Sequence, residues 1–290
     1  MGELKRVDPS GVDPNRPRRS VLFMPASNLR AIEKARGLPC DVVVLDLEDA
    51  VAPADKPAAR AAVAAAIAAG GWGPREVVVR INALGTAWGH DDLAAAAGAD
   101  AVLVPKADAA SLAAAHAAAP TATLWAMVET ARAAIDLPAL AAVPGVAALV
   151  VGTNDLAREL RCVPGADRLP LWPHLAMTVA AARAHGLVVL DGVYNAIDDA
   201  EGLAAECVQG ARFGFDGKSL IHPSQIAAAN AAFAPDPDAV AAAAALIAAW
   251  AAAGGDAMGV VKIAGRMVER LHVDQAEALV ARAEAIARAC

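Results

Sequence analysis

The sequence predicts a (β/α)8 TIM barrel followed by a C-terminal helical extension, and three observations carry that prediction. Eight short apolar runs recur between residues 20 and 217. Ala-rich, helix-compatible stretches separate them, several ending in Gly, as helices do before a chain turns back. Most of the runs close on charged or polar residues, which is where such barrels carry their chemistry.

The runs, in order, are SVLFMPA (20–26), DVVVLDLED (41–49), EVVVRIN (76–82), AVLVPKA (101–107), TLWAMVET (123–130), ALVVGTND (148–155), LVVLDGVY (187–194) and ARFGFDG (211–217). Runs such as VVVL and ALVV are apolar at successive positions, the pattern of strands covered on both faces. The helices between them include KPAARAAVAAAIAAG, AASLAAAHAAA, LAMTVAAARAHG and DDAEGLAAECVQG. A doubly wound open sheet is the alternative. However, no G-x-G-x-x-G follows the first run, and VGTNDLA lacks the Walker pattern. Beyond residue 223 come SQIAAANAAF, a Pro break at APDPDAV and two further helical stretches. The chain therefore divides into a loose, polar arm (1–18), a barrel (19–233) and a helical extension (234–290) that packs on the barrel or on a neighbouring subunit.

Composition narrows the function classes. The hydrophobic fraction of 57% and mean hydropathy of +0.42 look membrane-like. Much of both comes from Ala, which favours helix and adds little hydrophobic drive. The uncharged run 239–255 is too short and too Ala-rich for a span. With no apolar leader, the expectation is a cytoplasmic protein without a membrane partner. A net charge of −7 argues against nucleic acid. Cys40, Cys162, Cys207 and Cys290 are scattered, so reduced thiols are expected rather than a disulfide framework.

The ends of the runs collect Asp46, Glu48 and Asp49; Arg80 and Asn82; Lys106; Glu129; Asn154 and Asp155; Asp191; Asp216 and Lys218. Side chains alternate along a strand, so Asp46 and Glu48 share a face with Val42 and Val44. If that face points inward, both acids reach the barrel mouth. Glu129 and Asp155, on adjacent strands, suit a hard divalent cation such as Mg2+, which takes one or two carboxylates and keeps other positions for water or substrate. No Cys/His cluster at these ends favours zinc. Arg80 would face that centre and hold a carboxylate or oxyanion, with Glu48 orienting it. Each residue also has an ordinary reading: Asp155 as a helix N-cap, Asp46 as acceptor of backbone amides, Lys106 as a surface charge. Of six histidines, His222, just past the eighth run, is the one well placed.

The motifs RRSVLFMPASNLRAIEKA, DVVVLDLEDAVAPADKPAAR, VVVRIN, AVLVPKA, MVETARAAI, VVGTNDLARELR and GFDGKSLIHPSQIAAANAAFAP together resemble the HpcH/HpaI aldolase and citrate lyase beta-subunit family. The resemblance runs from about Arg19 to the C-terminus and is nearest in look to malyl-CoA lyase and malyl-CoA thioesterase members. It implies a Mg2+-binding (β/α)8 barrel that forms homotrimers or hexamers. By the same resemblance, Glu129 and Asp155 would be the metal ligands, and Arg80, Glu129, Asn154 and Asp155 would meet the substrate. Arg80 and its support Glu48 would be the catalytic pair, while Phe23, Lys34 and His222 would approach coenzyme A. One departure stands out: the stretch KIAGRMVE has Ala264 where many members carry an Asp that reaches a neighbouring subunit as acid/base, and Ala can move no proton. The implied activity is carbon–carbon cleavage of a 3-hydroxyacyl-CoA such as malyl-CoA, or of a citrate-like CoA thioester. The alternatives are thioester hydrolysis of malyl-CoA and aldol chemistry on free oxo acids.

Overall fold

The computed structural model describes residues 16–289. Eight parallel strands close on themselves: β1 (Ser20–Pro25), β2 (Val42–Asp46), β3 (Glu76–Arg80), β4 (Ala101–Val104), β5 (Leu124–Val128), β6 (Val146–Val151), β7 (Val188–Asp191) and β8 (Gly217–Leu220), with β8 pairing back to β1. Helices fill every connection, as parallel pairing requires. This is the (β/α)8 barrel expected.

Strand alternation sorts the apolar side chains into two layers. Val21, Val42, Val44, Val78, Leu103, Trp125, Val150 and Leu190 pack together inside the barrel. Their neighbours Leu22, Val43, Leu45, Val77 and Val79 face outward into the layer shared with the helices. Register then decides which polar residues continue the inner face. Val44 pairs with Val78 and Asp46 with Arg80, so Asp46 and Arg80 come out side by side at the carboxyl end.

One strand differs from the sequence expectation. Ala211–Phe213 are the last turn of the helix Ala200–Phe213, which ends on Gly214 at φ +96°, and β8 lies at Gly217–Leu220. A lysine in its second position hides the strand from a hydropathy reading. Lys218 is fully buried, held by Asp191 at 3.0 Å and Glu206 at 2.6 Å.

The chain forms two compact units that meet in sequence between Phe233 and Ala234. In the C-terminal unit the helices Pro237–Ala252 and Arg270–Ala289 appear as expected, together with a hairpin that was not. Its strands, β9 (Val260–Ile263) and β10 (Arg266–Glu269), are joined by Ala264 and Gly265, both at positive φ (+47° and +82°). Strands of four residues around a two-residue turn leave too little periodicity to read. Trp250, Val261, Val268 and Val273 form this unit's core. The tract Pro223–Ala252 has the length and hydropathy of a membrane span. It is interrupted, because the helix Ile226–Ala232 ends at Phe233 and the next begins at Pro237.

Candidate active site

The ends of β2 and β3 build a fixed guanidinium. Arg80 Nε donates to Asp46 Oδ1 at 2.8 Å and Nη2 to Oδ2 at 2.6 Å, a two-pronged pairing that sets the plane of the group. Glu48 Oε2 lies 3.0 Å from Nη1, close enough for ionic attraction but without hydrogen-bond alignment. The Phe23 ring of β1 backs the cation, 5.3 Å from its centre to the guanidinium carbon. Burial works against the charge of Arg80, yet Asp46, then Glu48 and Glu129, outweigh it and raise its pKa. Asp46 also accepts the Glu48 amide at 2.9 Å, so its backbone-capping and Arg-holding roles coexist.

The second half of the site comes from β4, β5 and β6. Glu129, one residue past β5, is 1% exposed, and its Oε1 accepts the Lys106 amide at 2.6 Å. No hydrogen bond from the described residues reaches its Oε2. Burial pushes this carboxyl up to about 7, with the charge of Glu48 adding and the Lys106 amide, Lys106 and Arg80 opposing. Gly152, directly after β6, leaves the space Glu129 needs: a Cβ there would sit 2.5 Å from Glu129 Cβ and 2.6 Å from Oε2. The helix Thr153–Leu160 starts at once, with Gly152 at its N-cap, so Asp155 is inside the first turn rather than capping it. Asp155 pairs with Arg158 one turn on.

These groups open on one cavity of about 420 Å³, lined among others by Phe23, Asp46, Arg80, Glu129 and Asp155. Ser219 of β8 also faces it, and its buried Oγ has no hydrogen-bond partner among the described residues. The described residues contain no cluster of three or more His, Cys, Asp or Glu side chains fit for a metal. Of the four carboxylates that line the cavity, Asp46 is taken up by Arg80 and Asp49 is exposed beside Lys106, which leaves Glu129 and Asp155 as an all-oxygen donor pair, Glu129 being deprived of solvent and of an unshared counter-charge. That set matches a hard divalent ion that keeps its other positions for water or substrate oxygens.

Of the residues singled out in the sequence, Phe23, Arg80, Glu129, Asn154 and Asp155 meet at this cavity, with Glu48 behind Arg80. Asn154 is exposed at the rim, exchanging amide hydrogen bonds with Asn195 at 3.2 and 2.8 Å. Lys34 and His222 do not line the cavity. Lys34 is exposed on the helix Leu29–Ala35, and the His222 ring accepts the Ser224 amide at 3.2 Å to cap a short 3-10 turn. Asp191 and Lys218 belong elsewhere, since both point outward from the barrel into the helix layer. Three features of the site were not anticipated: Asp46 as the main holder of Arg80, Lys106 behind the cavity as partner of both glutamates, and Ser219 on its wall. Alternation along β2 had aimed Asp46 inward; nothing in VPKA marked the turn at Lys106.

Residues 19–223 match the HpcH/HpaI aldolase/citrate lyase family. The chain belongs to that family. Within it, the chain is 47% identical to (3S)-malyl-CoA thioesterase of Cereibacter sphaeroides over 274 residues, covering 93% of this chain and 96% of that one. It is 34% identical to L-malyl-CoA/beta-methylmalyl-CoA lyase of the same organism over 307 residues, covering 94% and 96%. Among solved structures, CitE from Mycobacterium tuberculosis in complex with magnesium, acetoacetate and coenzyme A superimposes with a TM-score of 0.76. It is 35% identical, over 93% of this chain and 99% of that one. The citrate lyase beta subunit of M. tuberculosis with oxaloacetate and magnesium gives 0.68 at 37% identity, over 77% and 100%.

Proposed function

We propose that this protein is a Mg2+-dependent enzyme acting on the CoA thioester of a small hydroxy-dicarboxylic acid, with hydrolysis of malyl-CoA to malate and free coenzyme A as its reaction. The observation that carries the reading is the placement of Arg80, locked by Asp46, on the same cavity as Glu129 and Asp155. The extent and identity of the match to malyl-CoA thioesterase favour hydrolysis.

Glu129 and Asp155 are the residues that would hold Mg2+. When bound, the ion supplies Lewis-acid charge to the oxygens of the substrate. The chain's own groups do the rest. Arg80 has five N–H donors, and its contacts with Asp46 and Glu48 leave donors on both terminal nitrogens for a substrate oxyanion. Because Asp46 fixes the plane beforehand, little reorganisation is needed as charge develops. Phe23 walls off the cavity beside the guanidinium and keeps water from screening it. Asn154 and the Ser219 hydroxyl offer neutral hydrogen bonds to the remaining substrate oxygens. Phe23, Lys34 and His222 mark the side from which coenzyme A would approach; the exposure of Lys34 and His222 suits an extended, mostly solvated arm.

A second reading, carbon–carbon cleavage of malyl-CoA to acetyl-CoA and glyoxylate, is favoured by the match to the lyase and by the acetoacetate and coenzyme A bound in CitE. Product analysis of the purified chain with malyl-CoA and Mg2+ separates them. Free coenzyme A with malate supports hydrolysis, and acetyl-CoA with glyoxylate supports the lyase. Turnover of free oxo acids alone would replace both with an aldolase. We also propose a cytoplasmic homotrimer or hexamer in which the C-terminal unit covers a neighbouring barrel. A monomer by sedimentation at assay concentration would contradict that assembly.

A further inference from the structure

The geometry points to Lys106 as a positioning residue with two separable arms: its backbone amide sets the Glu129 carboxylate, and its ammonium sets Glu48 behind Arg80. This inference rests on the proposed function, because the Glu129 arm matters only if Glu129 holds a metal ion.

Lys106 lies at φ +46°, one of four non-glycine residues at positive φ among the described residues, and the one of them hydrogen-bonded to Glu129. L side chains avoid this region because Cβ crowds the following carbonyl, and glycine and asparagine are the usual occupants. A lysine held there reports that its surroundings determine the conformation. The local ladder shows what the turn achieves. Val104 pairs with Ala126, Pro105 has no amide hydrogen, and the Ala107 amide rejoins β5 at the Met127 carbonyl, 3.3 Å away. Between them the Lys106 amide leaves the ladder and donates to Glu129 Oε1 at 2.6 Å. That bond occupies one carboxylate oxygen and leaves Oε2 without a hydrogen-bond partner among the described residues, oriented from the protein side as ligating carboxylates are.

The same turn throws the side chain toward β2. Lys106 Nζ reaches Glu48 Oε1 at 2.5 Å and stands 3.8 Å from Asp49, while Glu48 Oε2 faces Arg80 Nη1 at 3.0 Å. Glu48 is therefore bracketed by two cations. Without the ammonium, a buried carboxylate would be left with one misaligned partner, and it would compete with Asp46 for the guanidinium. Lys106 is two-fifths exposed, so its charge is not needed to complete a core. A surface charge would not require a left-handed backbone.

Two substitution series separate the arms from each other and from folding. Lys106→Met keeps the amide and removes the charge. It should lower kcat about tenfold or more, leave Mg2+ affinity in substrate-free enzyme within about twofold by calorimetry, and recover most activity as Lys106→Arg. Lys106→Val removes the charge and also resists positive φ. It should weaken Mg2+ binding about tenfold beyond Lys106→Met, whereas Lys106→Gly, which accepts that backbone freely, should bind Mg2+ like Lys106→Met. If the valine variant does not fold, the comparison of Lys106→Thr, also β-branched, with Lys106→Gly carries the backbone arm, in the same direction. Equal Mg2+ affinity across the β-branched and glycine variants, or unchanged kcat in Lys106→Met, would overturn the inference. Failure of the unaltered protein to bind Mg2+ would instead overturn the proposed function.

Discussion

Two clusters of charge lie within the same barrel and have opposite characters. Outside β7 and β8, Asp191 is buried completely between Arg168 at 2.8 Å and Lys218 at 3.0 Å, and Glu206 completes the group. Burial acts to raise the Asp191 pKa, but the two cations outweigh it and hold the carboxyl below its usual range. Across the barrel mouth, Glu129 is as deeply buried, yet its pKa is pushed up to about 7. The difference is one of pairing. In the first cluster each charge has an opposite charge in contact; in the second, Arg80 and Lys106 are already engaged by Asp46 and Glu48, and Glu129 receives one backbone amide. A buried charge that is fully paired holds structure, whereas one left short of its counter-charge is a place for something else to bind.

Crossed substitutions would break this contrast most sharply. Asp191→Ala leaves Arg168 and Lys218 to share Glu206 alone in the interior and should cost about 3–5 kcal/mol in denaturant unfolding. Glu129→Ala or Asp155→Ala should cut Mg2+-dependent turnover by about 10²–10³-fold while unfolding at nearly the same denaturant concentration. Full activity in either mouth variant, or a stable Asp191 variant, would merge the two classes.

Gly152→Ala tests whether space at Glu129 matters as much as charge. Its methyl would intrude on the Glu129 side chain, so Mg2+ affinity should fall about tenfold with helix content unchanged by circular dichroism. The smallest effect expected is on pH. Glu129 has a folded-state pKa raised from 4.5 to about 7, so the metal-free folded protein binds more protons than the unfolded chain between those values. Stability from this group is present below about 4.5 and is lost as pH rises to about 7. Glu129→Gln removes that loss, so its melting temperature should gain on the parent as pH increases through this window. Parallel profiles would show that Glu129 is not buried as described.

Much of this was legible in the sequence because it depends on period-two alternation and on where apolar runs stop. Seven strands fell where expected, and Val42 and Val44 correctly carried Asp46 inward. The failures share a physical cause. The eighth strand contains a buried lysine whose partners, Asp191 and Glu206, lie 27 and 12 residues away, so hydropathy could not identify it. Lys106 and Asp46 act through contacts with Glu129 and Arg80 that span 23 and 34 residues. The hairpin around Ala264 and Gly265 is shorter than any periodic signal. Pairing across the barrel is set by register, and register becomes visible only once the barrel closes.

On the proposed function, Glu129 and Asp155 form one oxygen-donor site beside the guanidinium of Arg80 that Asp46 fixes. A crystal structure of the protein grown with Mn2+ as an anomalous stand-in for Mg2+ tests it most directly. The expected result is one ion bonded to a carboxylate oxygen of each residue, with Arg80 still gripped by Asp46. An ion bound elsewhere, or the two carboxylates separated with neither touching metal, would contradict the account.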